Sequence, residues 1–226
     1  MALVNCTSFS TAWTALAYAK AHTLLEKTEI ATAVLMAQIG ARQSSLDPRL
    51  HEARRHEGQI ITAKNIKTML KELGGEEDPQ RELQEIYSIR CVPQTIGACR
   101  DQLEYVKYTV EQEMNGVDDN PLIFSTIPEN IADIIHGGNF FAQHIAFAAD
   151  ALNAAQTQLG VLLERQLDLM VSPAQNKQWP LLLSWDEGAM SGLAGAQISA
   201  SALIAEMRMQ CQSYATSSIP TNSGNQ

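Results

Sequence analysis

The sequence predicts an all-α fold, a bundle of long helices, and three observations support this prediction. The 13 glycines and 8 prolines of the 226 residues gather at a few places and leave long uninterrupted stretches between them. Within those stretches, apolar residues recur at alternating steps of four and three, which lays an apolar stripe along a helix. No series of segments alternates apolar and polar residues in the way that strands do.

Three helices are predicted in the first half of the chain. A loop that contains Asp47-Pro48 separates the first helix from the second. The second helix should stop at Gly74-Gly75, because glycine adopts the left-handed conformation that ends many helices. Pro93 suits the first turn of the third helix, which ends at Gly116. The predicted spans are Ser8 to Arg42, Gly58 to Leu73 and Gln94 to Asn115.

Two longer apolar stripes are predicted in the second half, after residues 117–139, which hold two prolines and a glycine pair and leave room for a short extended piece. The first stripe lies on a helix from Phe140 to Met170 and comprises Phe141, Ile145, Ala148, Leu152, Ala155, Leu159 and Leu162. The second reaches about Tyr214 and comprises Ala194, Ile198, Ala202, Ala205 and Met209. Because alanines stand beside larger side chains, facing helices can approach closely and pack as a bundle.

The composition fits a single helical domain that spans residues 1–226. Apolar residues make up 45% of the chain, enough to build a core. The formal charge of −9 argues against a general nucleic-acid binder, which needs clustered cations. The 4 cysteines lack zinc-site spacing and fit reduced thiols. No signal peptide and no run of about 18 apolar residues occurs, so we expect a cytoplasmic protein without a membrane helix.

Three familiar kinds of functional site find no support in the pattern. His51 and His56 are five residues apart and would point about 140° from each other on a helix, so they do not form a zinc motif. Gly137-Gly138 lacks the preceding strand and the third glycine of a dinucleotide loop, and no Walker lysine pattern occurs. Serine, histidine and aspartate are present, but nothing in the sequence brings them together as a hydrolase triad.

The segment from Gln84 to Gln94 carries the most informative chemistry. It places Tyr87 three residues before Arg90, with amides on both sides, just before a predicted helix. An arginine can bind a carboxylate through two parallel hydrogen bonds, and a tyrosine can act as a base. In the structural alternative, Arg90 pairs with a glutamate and Tyr87 packs with its hydroxyl satisfied. The pattern alone favours this alternative without excluding the catalytic one.

Five segments stand out together along the chain: ALVNCTSFSTA at residues 2–12, QEIYSIRCVPQ at 84–94, DDNPLIF at 118–124, GGNF at 137–140 and IPTNSGNQ at 219–226. Their identity and order resemble the aromatic amino-acid ammonia-lyases, the family of histidine, phenylalanine and tyrosine lyases and the related aminomutases. The stretch LDPRLHEARRHEGQ at 46–59 is also similar to a segment of that family. The resemblance covers the whole chain.

The resemblance implies the central helical core of the ammonia-lyase (fumarase/aspartase-like) fold and a lyase or aminomutase reaction on an aromatic L-amino acid. The family eliminates ammonia with an electrophile, 4-methylideneimidazole-5-one, which forms from an internal Ala-Ser-Gly. By the same resemblance, Asn5 would hydrogen-bond near that group, Tyr87 would transfer a proton and Arg90 would hold the substrate carboxylate. Gln84 and Phe140 would line the site.

Gln226 carries information about the substrate. Histidine lyases have a glutamate at the matching position, whereas glutamine resembles the phenylalanine and tyrosine enzymes and the aminomutases. Tyrosine or phenylalanine is therefore favoured over histidine. The chain also departs from the family pattern: Cys6 replaces a glycine, Glu57 replaces a proline, and residues 186–192 differ from the usual GLNSG-like run.

The 226 residues contain no Ala-Ser-Gly, and chains of the family are commonly much longer. We therefore expect the middle part of a lyase chain or one piece of a divided enzyme, inactive alone, with its electrophile supplied from elsewhere. Family active sites lie at subunit contacts of a homotetramer, so further copies or a complementary chain with Ala-Ser-Gly are the expected partners. The alternative is a catalytically inactive helical protein that keeps the bundle for assembly or binding.

Overall fold

The computed structural model describes residues 4–124 and 133–217. These form eight α-helices: α1 Ser8–Gln38, α2 Pro48–Arg54, α3 Glu57–Glu72, α4 Tyr87–Arg90, α5 Val92–Asn115, α6 Gln143–Val171, α7 Pro173–Asn176 and α8 Ala194–Gln210. Short 3₁₀ helices span Ser44–Leu46 and Leu181–Leu183. The extended piece predicted within 117–139 is an antiparallel pair of two-residue strands, β1 Leu122–Ile123 and β2 Ile134–Ile135, with Leu122 opposite Ile135.

The long helices α1, α3, α5 and α6 pack around one hydrophobic core, which confirms the predicted all-α bundle. α5 lies at the centre and contacts the other three. Each helix contributes fully buried side chains, among them Leu25, Ile66, Ile96 and Leu159. Burying one such side chain contributes about 1.5–3 kcal/mol, so this cluster fixes how the four helices lie. None of the described helices is both long and apolar enough to cross a membrane.

α3 and α5 meet most closely where two glycines face each other. A Cβ on Gly58 would lie 2.2 Å from the carbonyl oxygen of Gly97, and a Cβ on Gly97 would lie 2.4 Å from Gln59 Cα. Any larger residue would push the two helices apart. The Gly58 N–H also donates to Asp101 Oδ1 at 2.7 Å. The start of α3 is therefore held directly on α5.

Glycines in the left-handed conformation end α1 and α3. Gly40 has a φ of 59° and Gly74 a φ of 65°. After each of them, the next N–H bonds back to a carbonyl of the last helical turn at 2.9 Å, as in a Schellman motif. The predicted stop at Gly74-Gly75 is confirmed. α1 ends at Gln38 rather than at the predicted Arg42, because Gly40 turns the chain there.

The loop predicted at Asp47-Pro48 was wrong, because these two residues begin α2. The Asp47 side chain accepts a hydrogen bond from the Arg49 N–H at 2.9 Å, which caps the helix. Pro48 occupies the first helical position, where its missing N–H costs nothing. Aspartate followed by proline is a helix start as well as a turn signal, and here the helix prevails.

Three more predicted boundaries differ from the observed ones by two to four residues. α5 begins at Val92 rather than Gln94, α6 begins at Gln143 rather than Phe140, and α8 ends at Gln210 rather than near Tyr214. Phe141, the first residue of the predicted stripe, consequently lies outside α6 and is 61% exposed. The other members of that stripe, from Ile145 to Leu162, are buried as predicted.

The stripe predicted on α8 was wrong, because it does not face the core. Its larger members Ile198 and Met209 are 70% and 73% exposed. Gln197 instead turns toward α6 and donates to Asp168 Oδ1 at 2.9 Å. Gly160 of α6 makes room for this face, since a Cβ there would lie 2.6 Å from an α8 side chain. Polar contacts and a glycine on the neighbouring helix therefore set the orientation of α8.

Candidate active site

Tyr87 and Arg90 lie on α4, a single helical turn at the amino-terminal end of α5. One turn is too short to be stable alone, so its surroundings must hold it. Ile89, between the two residues, is completely buried in the core. The Arg90 N–H donates to the Ile86 carbonyl oxygen at 2.8 Å. Tyr87 is thereby presented to solvent, 72% exposed, on an anchored backbone.

A buried ion pair holds the chain just before α4. Glu85 is buried and accepts hydrogen bonds from Arg81 Nε at 2.6 Å and Nη2 at 2.5 Å. It also accepts from the backbone N–H of Arg42 at 2.9 Å. Hydrogen bonding to Glu85 raises the pKa of Arg81, so the guanidinium stays charged. This carboxylate is fully engaged and is not a partner for Arg90.

Arg90 forms no ion pair with any residue in the described part of the chain. Its Nη1 donates to the neutral amide oxygen of Gln84, and its Cζ lies 5.0 Å from the centroid of the Tyr87 ring. A guanidinium over an aromatic face is attracted by the ring electrons, which orients both groups. The structural alternative, with Arg90 paired to a glutamate and Tyr87 packed away, is wrong for these residues.

An open cavity of about 850 Å³ lies beside Arg90. Leu50 and Leu83 supply apolar surface to its wall. Two further arginines line it, but Arg42 is paired with an acid at 3.2 Å and Arg49 with another at 2.6 Å. Within the described chain, Arg90 is therefore the arginine on this wall whose charge no carboxylate neutralises. Such a group can bind the carboxylate of a ligand.

Asn5 and Phe140 lie at the opposite end of α5. Asn5 is two residues before Thr7, whose N–H and hydroxyl both donate to Asp118 Oδ2 at 2.8 Å, just beyond α5. The neighbour of Phe140, Asn139, donates to a backbone carbonyl that also lies just beyond α5, at 3.1 Å. The side chain of Asn5 is exposed, and Phe140 is partly so. Both predicted site residues are therefore tied, through their neighbours in sequence, to the carboxyl-terminal end of α5.

The predicted site residues thus form two groups, one at each end of α5. The helix has 24 residues, and at about 1.5 Å per residue it separates the groups by about 36 Å. The structure brings Gln84, Tyr87 and Arg90 together, but it does not bring them to Asn5 or Phe140. Gln226, the predicted substrate-selecting residue, lies outside the described residues, as do 2–3 and 219–225 of the motifs.

His51, excluded above as a zinc ligand, has a structural role. It is buried, and its ring nitrogens lie 3.0 Å from the Ser45 carbonyl oxygen and 2.8 Å from Gln59 Nε2. Burial lowers the pKa of His51, which favours the neutral ring. His56 is exposed. In residues 4–124 and 133–217, no three His, Cys, Asp or Glu side chains are grouped as metal ligands would be.

Two residues that hold the site were not predicted from the sequence. Glu85 follows Arg81 by four residues, a spacing typical of helical ion pairs that could have indicated their pairing. Gln166 donates from its Nε2 to the Ser88 carbonyl oxygen at 3.1 Å, across 78 residues of sequence. No local pattern indicates such a contact.

Known proteins resemble this chain over its whole length. The family model for aromatic amino acid lyases matches residues 1–226. A tyrosine ammonia-lyase of Cupriavidus metallidurans is 36% identical, and the match covers 100% of this chain and 45% of the relative. A histidine ammonia-lyase of Treponema denticola is also 36% identical, with 100% and 43% covered. The chain therefore spans less than half the length of these relatives.

Solved structures show the same relationship. The crystal structure of a tyrosine aminomutase from Streptomyces globisporus matches with a TM-score of 0.84 and 36% identity, over 97% of this chain and 45% of that one. A phenylalanine ammonia-lyase from Rhodosporidium toruloides matches with a TM-score of 0.88 and 28% identity, over 99% and 34%. The sequence match and the helical core agree, and the chain belongs to the aromatic amino acid lyase family.

Proposed function

We propose that this chain supplies the carboxylate-binding and proton-transfer part of an ammonia-lyase or aminomutase that acts on an aromatic L-amino acid. One observation carries the proposal. Arg90 holds its guanidinium over the Tyr87 ring and beside an open cavity, with no acidic partner among the described residues. A partly exposed cation without an acidic partner, on a helical turn that is anchored in the core, suits an anionic ligand.

The residues of this group divide the chemistry between them. Arg90 binds the substrate carboxylate and so orients the bond between Cα and Cβ for elimination. Tyr87, three residues earlier and accessible, moves the proton that leaves Cβ, while the amine leaves as ammonia and a double bond forms. Gln84, which now accepts a hydrogen bond from Arg90, contacts the substrate at the edge of the site.

The electrophile of this chemistry would come from outside these residues. A bound 4-methylideneimidazole-5-one group makes the amine a better leaving group and the Cβ proton more acidic. The 226 residues contain no Ala-Ser-Gly from which to form it. Asn5 suits a place beside the group, because its amide side chain is exposed.

More than one polypeptide must contribute to such a site. The two groups of site residues are about 36 Å apart along α5, farther than an amino acid can reach. A second copy, or a complementary chain with Ala-Ser-Gly, would therefore bring Asn5 and Phe140 to Tyr87 and Arg90. Gln226 favours tyrosine or phenylalanine over histidine as the substrate.

Complementation tests this proposal. The chain is mixed with a lyase polypeptide that carries Ala-Ser-Gly but is inactive alone, and the absorbance of the unsaturated acid is followed with tyrosine, phenylalanine and histidine. We expect no turnover by either component alone and turnover by the mixture. Tyr87→Phe and Arg90→Ala should each lower the rate by about 100-fold or more. Arg49→Ala is the control, because its charge is already paired.

Turnover by the 226-residue chain alone would contradict the need for an outside electrophile. Wild-type rates in the Tyr87→Phe or Arg90→Ala mixtures would remove these residues from the reaction. If no mixture is active, and no aromatic carboxylate binds the chain, a non-catalytic assembly protein becomes the better account.

A further inference from the structure

Gln166 on α6 connects the core of the bundle to α4, the turn that carries Tyr87 and Arg90. It is 4% exposed, so its amide is shielded from water. Its Nε2 donates to the Ser88 carbonyl oxygen at 3.1 Å and lies 3.0 Å from Thr32 Oγ1. Its Oε1 accepts a hydrogen bond from the same hydroxyl at 3.2 Å. One buried amide thereby joins α1, α4 and α6.

The carbonyl that accepts this bond belongs to the turn that carries the site residues. Ser88 stands between Tyr87 and Arg90, and the carbonyls at the end of a helix have no complete set of partners within it. A buried polar group that loses its partner is destabilised, so α4 is strongly driven to keep this contact. Ile89 fixes the depth of the turn by burial, and the directional bond to Gln166 fixes its rotation.

We propose that Gln166 is a positioning residue for Tyr87 and Arg90. It does not line the cavity beside Arg90, and it acts only through the Ser88 carbonyl. The substrate-related part of this inference rests on the proposed function. The structural part, that Gln166 orders α4, stands on the hydrogen bonds alone.

A pair of variants separates positioning from stability. Gln166→Leu removes the bonds to both Ser88 and Thr32. Thr32→Val removes a hydroxyl from the same buried group but leaves the donor to Ser88 in place, so it is the matched control. Gln166→Met, unbranched and of similar size, is a second test if Gln166→Leu does not fold. Unfolding in urea first gives the global loss of stability of each variant.

The first readout is amide hydrogen exchange on the intact chain. The Arg90 N–H bonds to the Ile86 carbonyl at 2.8 Å and the Cys91 N–H to the Tyr87 carbonyl at 2.9 Å, so both report the order of α4. After correction for global stability, we expect exchange at these amides to be about tenfold faster in Gln166→Leu, and within about twofold of wild type in Thr32→Val. Equal exchange in the two variants would overturn the proposal.

The second readout is binding of (E)-cinnamate, an aromatic carboxylate, followed by NMR titration. We expect the dissociation constant to rise by about tenfold in Gln166→Leu and by less than about twofold in Thr32→Val. Equal affinities would show that Gln166 has no part in positioning the site. If wild type itself binds no cinnamate, the proposed function fails, whereas the exchange data still decide whether Gln166 orders α4.

Discussion

The two ends of α5 use charge in opposite ways. At the amino-terminal end, the acid and the cation that hold the chain before α4 are paired, as Glu85 is with Arg81. Arg90 contacts only an amide and an aromatic ring. At the carboxyl-terminal end, the carboxylate of Asp118 accepts hydrogen bonds from Thr7 and Ser8 and so holds the start of α1.

The difference shows how one helix can carry a structural end and a binding end. Asp118 is occupied by its own chain, so its charge stabilises the fold. Arg90 is left with free N–H donors on a rigid turn, so its charge is available to a ligand. A charged residue in a family motif is thus informative about function only once its partners within the fold are known.

The packing that anchors α4, at the amino-terminal end of α5, should give the largest effect on stability. Ile89→Ala removes a completely buried side chain below α4, and we expect the free energy of unfolding to fall by about 3 kcal/mol. Ile86→Ala is the control, because Ile86 is more than a third exposed, and it should cost less than about 1 kcal/mol. Urea unfolding of both variants measures this, and equal losses would show that α4 is not anchored through Ile89.

The carboxyl-terminal end should respond through hydrogen bonds rather than packing. Asp118→Ala leaves the N–H of the buried Thr7 without its acceptor, whereas the hydroxyl keeps Glu113 Oε2 at 2.7 Å, and we expect a loss of about 1–2 kcal/mol. Asp119→Ala is the control, since the Asp119 side chain accepts from the neighbouring N–H, and it should change stability by less than about 0.5 kcal/mol. Thermal unfolding tests the pair, and an unaffected Asp118→Ala would disprove the structural role of this charge.

A smaller effect should separate the buried His51 of α2 from Asp118 by their dependence on pH. Burial lowers the pKa of His51 from its usual 6.5, so its contribution to stability is full above that pH and is lost as the pH falls below it. Hydrogen bonding from Thr7 lowers the pKa of Asp118 from its usual 3.8, so that contribution persists until the pH falls below that value. Between pH 7.5 and 5.5, therefore, the contribution of His51 to stability should weaken and that of Asp118 should not.

Unfolding in urea at these two pH values measures the effect. The slope for a single proton cannot exceed about 1.4 kcal/mol per pH unit. His51→Gln should reduce the pH dependence, whereas His56→Gln, at an exposed position, should leave it unchanged. A pH dependence that survives in His51→Gln would assign it to another group.

The sequence predicted the long helices well because their signals are local. The glycines after α1 and α3 mark real helix ends, and the periodic residues of α6 are buried in the core. The orientation of α8 could not be predicted in this way. Its position depends on Gly160 and Asp168 of another helix, and its apolar stripe faces away from that helix.

For the site, the sequence predicted which residues stand together on α4 but not which of them are free. Glu85 is close in sequence to both Arg81 and Arg90, and the four-residue spacing from Arg81 is only a weak local signal for their pairing, because residues 81–86 are not helical. The fold decides, because Arg81 reaches the buried carboxylate with two nitrogens. Contacts between distant segments, such as Gln166 with Ser88, are set by packing alone.

The central claim is that the charge of Arg90 is available to a carboxylate ligand. Its most direct test is the affinity of the 226-residue chain for (E)-cinnamate, measured by NMR titration for wild type, Arg90→Ala and Arg49→Ala. Loss of a charge-assisted hydrogen bond costs about 1.5–3 kcal/mol, which is about 10- to 150-fold in affinity. We expect that loss in Arg90→Ala, and affinity within about threefold of wild type in Arg49→Ala, whose side chain is already paired with Asp47. Equal binding by wild type and Arg90→Ala would contradict the claim.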